Sequence, residues 1–143
     1  MASVICFTEE IMVSMGIGPD IVDVTARLNA VLDESGIRKG TLHATSLGST
    51  GSLTTIEYEP GVVEDLKRAV TELAPPDRSY AHEEAWHDGN GHSHVQAALL
   101  GPSVVVPIRQ GRMSLGTWQQ VIVINHDNCT RDRKVGVTII GEA

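Results

Sequence analysis

The sequence predicts an α+β fold with more strand than helix. Three observations lead there. Runs rich in β-branched residues, such as IVDVT at 21–25 and SVVVPI at 103–108, mark strands. Only a few stretches combine helical spacing with stop signals, most clearly PGVVEDLKRAVTELAPP. A length of 143 residues with 41% hydrophobic content suits one domain with a real but modest core.

Taken in order, residues 3–14 (SVICFTEEIMVS) hold two apolar patches around Thr8–Glu10, consistent with one strand or two short ones. A strand at about 20–24 precedes a helix at about 26–35, in which Leu28, Val31, Leu32 and Ser35 follow helical spacing. Thr25 can cap this helix and Gly36 can end it. The alternative starts the helix at Pro19, whose fixed φ suits a first turn; the β-branched run favours the strand.

Residues 40–56 carry many Thr and Ser and alternate like two strands joined near Gly48–Thr50. From Pro60 to the Pro75–Pro76 stop, Val62, Val63, Leu66, Val70 and Leu73 make one apolar face of a helix. A turn at DRSY leads through the histidine-rich segment to HVQAALLG, which reads either as a short helix ended by Gly101 or as a buried strand. Strands follow at 103–108, about 112–116 and about 119–126, and the last is RKVGVTII after the DNCTRD turn. The chain has no internal repeat, low-complexity tract or linker.

A net charge of −7 argues against general affinity for nucleic acid or anionic lipid, although a local basic pocket could still hold a phosphate. No run approaches the ~18–20 apolar residues that span a membrane. Two cysteines outside any CxxC make no disulfide framework and read as reduced thiols. The N-terminus is a poor signal peptide, so a cytoplasmic location is expected.

The chemistry concentrates in HDGNGHSH, residues 87–94. Four of the six histidines, His82, His87, His92 and His94, lie within 82–94 beside Glu83, Glu84 and Asp88. Zinc takes about four imidazole, carboxylate or thiolate ligands, often three protein groups plus water at a catalytic site. On extended backbone His92 and His94 would share a face; in a helix they would diverge. Glycines at 89 and 91 allow the bend that would let His82 and His87 converge. The carboxylates can ligate or orient an imidazole. A metal-free polar pocket and a solvent-facing loop remain the plainer alternatives, because the spacing is no named zinc signature.

TTIEYEPG (54–61), YAHEE (80–84), DGNGHSHVQAALLGPS (88–103) and GRMSLGTWQQV (111–121) together resemble the YjbQ family. This is an uncharacterised protein family, some of whose members are named secondary thiamine-phosphate synthase. The similarity runs in order from about Ile5 to Ile139. It implies mixed or antiparallel sheets packed with a few helices, a homotrimer about a threefold axis, and a divalent metal, with zinc the expected ion, at the histidine segment. By resemblance His82 matches the histidine of a Tyr-x-His element, and His94 opens a His-x-Lys-Ala-Ser-Leu-Leu-Gly run. His92 matches the first histidine of a His-Ala-His variant, and Glu57 closes a Thr-Ile-Asn-Glu element. Two departures stand out. Where many members carry His-Thr-Thr or His-Thr-Ser, this chain has Gly48-Ser49-Thr50, and the common lysine is Gln96. His87 is the candidate replacement for the missing imidazole.

The resulting expectation is metal held by His82, His87, His92 and His94, with Glu57 and His94 catalytic. Glu57 and Glu59 would share a strand face, or else flank a helix start where negative charge is favourable. Ser49 and Thr50 are candidate phosphate contacts, although hydroxyls in such a loop usually serve turns. Arg112, with Arg109 across a turn, is a candidate anion contact; solubility is the default role of the other basic residues. Trp118 can stack on a substrate ring or anchor a core or interface, and Gln119 can bond substrate or finish a strand edge. The functional expectation is a metal-binding enzyme acting on a small phosphorylated metabolite, with thiamine-phosphate synthesis as the named candidate. The rivals are a metal-dependent phosphate-ester hydrolase and a non-enzymatic metal-bound trimeric scaffold.

Overall fold

The computed structural model describes residues 3–143. Strand β1 (Ile5–Met15) runs unbroken through Thr8–Glu10, and β2 (Asp20–Asp23) is followed by helix α1 (Thr25–Ser35). Then come β3 (Lys39–Leu47), β4 (Gly51–Ile56) and helix α2 (Pro60–Leu73). Two helices follow, the short α3 (His82–Trp86) and α4 (Gly91–Leu100). The chain ends with β5 (Ser103–Arg109), β6 (Arg112–Met113), β7 (Gln120–Asn125) and β8 (Arg131–Glu142). The fold is thus α+β, with every strand pair antiparallel.

The strands form a five-stranded sheet ordered β1-β8-β3-β5-β6 and a three-stranded sheet ordered β2-β7-β4. Consecutive strands β3 and β4 therefore belong to different sheets, and residues 48–50 carry the chain from one to the other. Alternation assigns the inner face of the larger sheet: Ile11, Val13, Leu42, Ala44, Val106, Ile108, Val135, Val137 and Ile139 pack with α1 and the smaller sheet. Strand β7 is buried on both faces. Val121 and Val123 join that core, while Ile122 and Ile124 face α2 and α4 through Val63, Leu66 and Leu100. A strand covered on both sides reads as a continuous apolar run rather than an alternating one.

The helix ends follow local chemistry. Gly36 closes α1 at φ +69. Glu59 caps α2, its carboxylate accepting from the N–H groups of Gly61 at 2.8 Å and Val62 at 2.9 Å, and Pro60 occupies the first turn. Those two hydrogen bonds hold the Glu59 carboxyl below its ordinary value. Leu73, expected on the apolar face of α2, ends that helix exposed. Residues 112–116 form only a two-residue strand, because Ser114 N–H turns back to Pro107 O and Leu115 N–H to Met113 O. Among the described residues no helix is long and apolar enough to cross a membrane.

Candidate functional site

Helix α3 was not expected from the sequence, and it shapes the histidine segment. His87 closes α3 in the left-handed conformation, φ +52, its N–H bonded to Glu83 O at 3.0 Å. Glu83 Oε1 accepts from the Gly91 N–H at 2.9 Å, setting a carboxylate at the positive end of α4. Gly91 has no substitute here, since a Cβ would stand 2.6 Å from Tyr80 Cβ and 2.8 Å from Glu83 Oε2.

Because His92 and His94 lie on the first turn of α4, their rings diverge. His94 is half-buried and its ring centroid is 4.5 Å from that of His82. His82 Nε2 lies 3.3 Å from Asp88 Oδ1, and one donor atom from each of His82, Glu83 and Asp88 falls within 4.8 Å of the others. Desolvation raises the Asp88 pKa, but the Asn90 N–H and His82 outweigh it and the carboxyl is held below its ordinary value. Asp88 is fixed from the β7–β8 turn: Asn128 Nδ2 donates to Asp88 O at 2.9 Å, and Asn128 N–H donates to Asn90 Oδ1 at 3.1 Å. One imidazole and two carboxylates form this group, a donor type that suits zinc, and the His94 ring beside His82 is the candidate fourth donor. Glu83 would offer Oε2, since Oε1 already holds Gly91.

The other predicted residues disperse. His87 is exposed and, like His94, is not part of this three-residue donor group. His92 turns inward and is only 8% exposed, with Nδ1 lacking a hydrogen-bond partner among the described residues. Burial lowers its pKa, and the Glu83 and Asp127 carboxylates partly offset that. Ser49 lines a cleft of about 330 Å³ with Gly48, Gly51, His94, Ala97 and Pro102. Thr50 is buried, its hydroxyl donating to Asp127 Oδ2 at 2.9 Å and accepting from Arg133 Nη2. Glu57 follows the far end of β4, about 20 Å along the strand from Gly51. There it shares a second cleft with Asp23, Tyr58 and the exposed Trp118. Gln119 is occupied locally, accepting from Gly116 N–H at 3.0 Å and donating to Thr55 Oγ1 at 3.1 Å. Arg112 lies elsewhere again, beside Arg38, Asn29 and Asp33.

On the inner side of α4 is a polar cluster that the sequence reading missed. Gln96 Nε2 donates to Ala74 O at 3.0 Å, which leaves Oε1 to accept from His126 Nδ1 at 2.9 Å. The His126 Nε2 then accepts from the Ser52 hydroxyl at 2.7 Å. Burial, the Arg133 charge and His92 push the His126 pKa down to about 4, so the ring is neutral near pH 7. Gln96 is thus buried and fully engaged rather than exposed as a substitute for a substrate-binding lysine. Asp127 accepts from Thr50 and from Arg131 Nε at 3.1 Å; desolvation raises its pKa, but these bonds outweigh it and the net shift is downward. The alternation of β8 contained the signal for Arg133, which shares the inward parity of Val135, Val137 and Ile139.

The profile of the UPF0047 protein YjbQ-like family matches residues 9–142. The chain belongs to the YjbQ family. A UPF0047 protein of Methanothermobacter thermautotrophicus is 34% identical over 136 residues, covering 95% of this chain and 93% of that protein. The UPF0047 protein YjbQ of Salmonella typhimurium is 35% identical over 107 residues, 74% of this chain and 77% of the relative. Among solved structures, a YbjQ-like protein of unknown function from Sulfolobus solfataricus P2 superposes with a TM-score of 0.93 at 31% identity. That match covers 98% of this chain and all, 100%, of the other. A hypothetical protein from Aeropyrum pernix K1 gives 0.89 at 30% identity over 95% and 99% of the two chains. The similarity to the YjbQ family therefore extends over both sheets and through the His82–His94 segment.

Proposed function

We propose that the protein is a metal-dependent enzyme acting on a small phosphorylated metabolite, with thiamine-phosphate synthesis as the first reaction to test. One observation carries the reading: the His82–Glu83–Asp88 donor group adjoins the ring of His94, which lines a cleft. His82, His94, Asp88 and Glu83 would hold a divalent ion, zinc by donor type. When bound, such an ion supplies Lewis acidity toward a phosphoryl oxygen. The cleft volume of about 330 Å³ restricts the ligand to a small molecule. Asp88 would orient the His82 ring, and half-buried His94 would serve as the fourth ligand or, where the other three hold the ion, as the group that holds or moves a proton. Glu57 takes no part in this cleft within one chain.

A homotrimer belongs to the same proposal. Met12, Leu47, Val105 and Ile140 are exposed on the outer face of the five-stranded sheet, and trimer assembly would cover them.

The test supplies metal-replete protein with a pyrimidine diphosphate and a thiazole phosphate and follows thiamine phosphate formation. The expected result is turnover that chelation and His94→Ala both abolish. Phosphate released from a single ester substrate would reassign the protein as a hydrolase. Loss of the trimer on metal removal, without any turnover, would make the cluster a scaffold.

A further inference from the structure

Beneath the loop joining β3 to β4 lies a buried guanidinium whose nearest carboxylate is shared with a second arginine. Arg133 takes the first buried position of β8 and is 6% exposed. Its Nε donates to Asn125 Oδ1 at 3.1 Å, and its Nη2 donates to the same oxygen at 2.6 Å and to Thr50 Oγ1. Nη1 donates to no described residue. Arg131 and Arg133 share a single carboxylate: Asp127 Oδ2 is 3.1 Å from Arg131 Nε and 3.9 Å from Arg133 Nη2. One cation is therefore in excess around a carboxylate that is only 2% exposed. Such burial is costly unless another anion completes the set.

The unpaired nitrogen is aimed at the loop. Nη1 lies 3.1 Å from the place a Cβ on Gly48 would occupy, and Nε lies 3.1 Å from the corresponding place on Gly51. Gly48 adopts φ +132, a conformation closed to most side chains, and with Ser49, Gly51 and His94 it lines the cleft. The backbone N–H groups of Gly48, Ser49 and Thr50 also donate to none of the described residues. The Ser46 hydroxyl, buried beside Gly51, has no partner either. Successive free amides in a turn form a concavity that suits anions, and an arginine adds forked, charged donors.

We propose that the Gly48–Thr50 amides and Arg133 Nη1 bind a phosphate group at the Gly48–Gly51 wall of the His94 cleft, behind which Arg133 lies. This deepens, and rests on, the reading of that cleft as a substrate site. Phosphate fits better than carboxylate because three amides and a guanidinium nitrogen match its three terminal oxygens. The glycine at position 48 is what opens the approach: a side chain there would stand against Nη1.

The test is calorimetric titration of inorganic phosphate into the metal-free full chain at low ionic strength. Saturable binding of one phosphate per chain is expected, weakened about tenfold or more by Arg133→Lys, which keeps the charge but loses the fork. Ser49→Asp should weaken it similarly by placing a carboxylate at the amides. Ser49 is exposed, so this result stands even if Arg133→Lys lowers the melting temperature. His87→Ala, at an exposed residue outside the donor group, should leave phosphate affinity unchanged. Absence of saturable binding, undiminished affinity in either variant, or acetate binding as tightly as phosphate would each overturn the proposal. Failure of the enzyme reading looks different: phosphate binds, the two variants weaken it, and metal-replete protein turns over nothing. Metal-dependent turnover without phosphate binding at these donors overturns this site alone.

Discussion

The two sides of helix α4 carry similar side chains in opposite circumstances. On the inner side Gln96 meets His126, whose two ring nitrogens are committed to Gln96 and Ser52. On the outer side His94 packs at a tilt against His82, whose Nε2 faces the Asp88 carboxylate. The inner imidazole is neutral, enclosed and spent on the fold. The outer pair is reachable and has capacity for a further partner. Whether a histidine serves structure or chemistry here depends on how many of its hydrogen-bonding positions the fold has already used.

The sharpest way to break the inner side is Asp127→Ala, which strips the carboxylate shared by Arg131 and the buried Arg133. Urea denaturation should show a loss of roughly 3–5 kcal/mol. A smaller loss would mean that Thr50 and Asn125 suffice for the guanidinium.

Next comes acid titration of His126. Its folded pKa of about 4 lies below the ordinary value of 6.5, so between those pH values the unfolded chain binds more protons than the folded one. Stability is fully present above pH 6.5 and is lost as the pH falls toward 4, by an amount on the order of 3 kcal/mol. Below that the contribution levels off. The His126→Gln variant should lose this acid limb in pH-dependent unfolding; an unchanged limb would assign it to other groups.

The outer side should respond in the reverse sense. His94→Ala should cost about 1 kcal/mol or less in stability, as a half-buried helix position, while lowering zinc affinity about tenfold or more by competitive chelation. The smallest effect belongs to His87→Ala. With its ring exposed outside the donor group, zinc affinity should be unchanged and stability altered by about 0.5 kcal/mol or less. A large drop in zinc affinity would show that α3 refolds around the ion.

Much of the fold was legible because periodicity is a local property. The α1 and α2 helices, the continuous run of β7 and the alternation of β8 all follow from side-chain spacing within one element. The short α3 was not legible, since five residues rich in His and Glu carry no periodic apolar face. For residues 91–100, helix and strand both fitted the pattern, and on that choice depended whether His92 and His94 would point together or apart. The family resemblance led to His82 and His94, which the structure brings together. It also led to Glu57, which the structure sets at the opposite end of β4.

By itself the sequence determined the α+β class, the family and the segment in which the histidines gather. Only the tertiary structure decided that His82 meets His94 while His87 stays outside, and that Gln96, His126 and Arg133 lie inside rather than on the surface. The reason is physical. Alternation and helical spacing say which way a side chain faces within its own element, but a ligand set or a buried charge pair needs groups far apart in the chain. Arg133 meets Asn125, Thr50 and the wall at Gly48 only because residues 48–50 carry the chain from one sheet to the other directly above it.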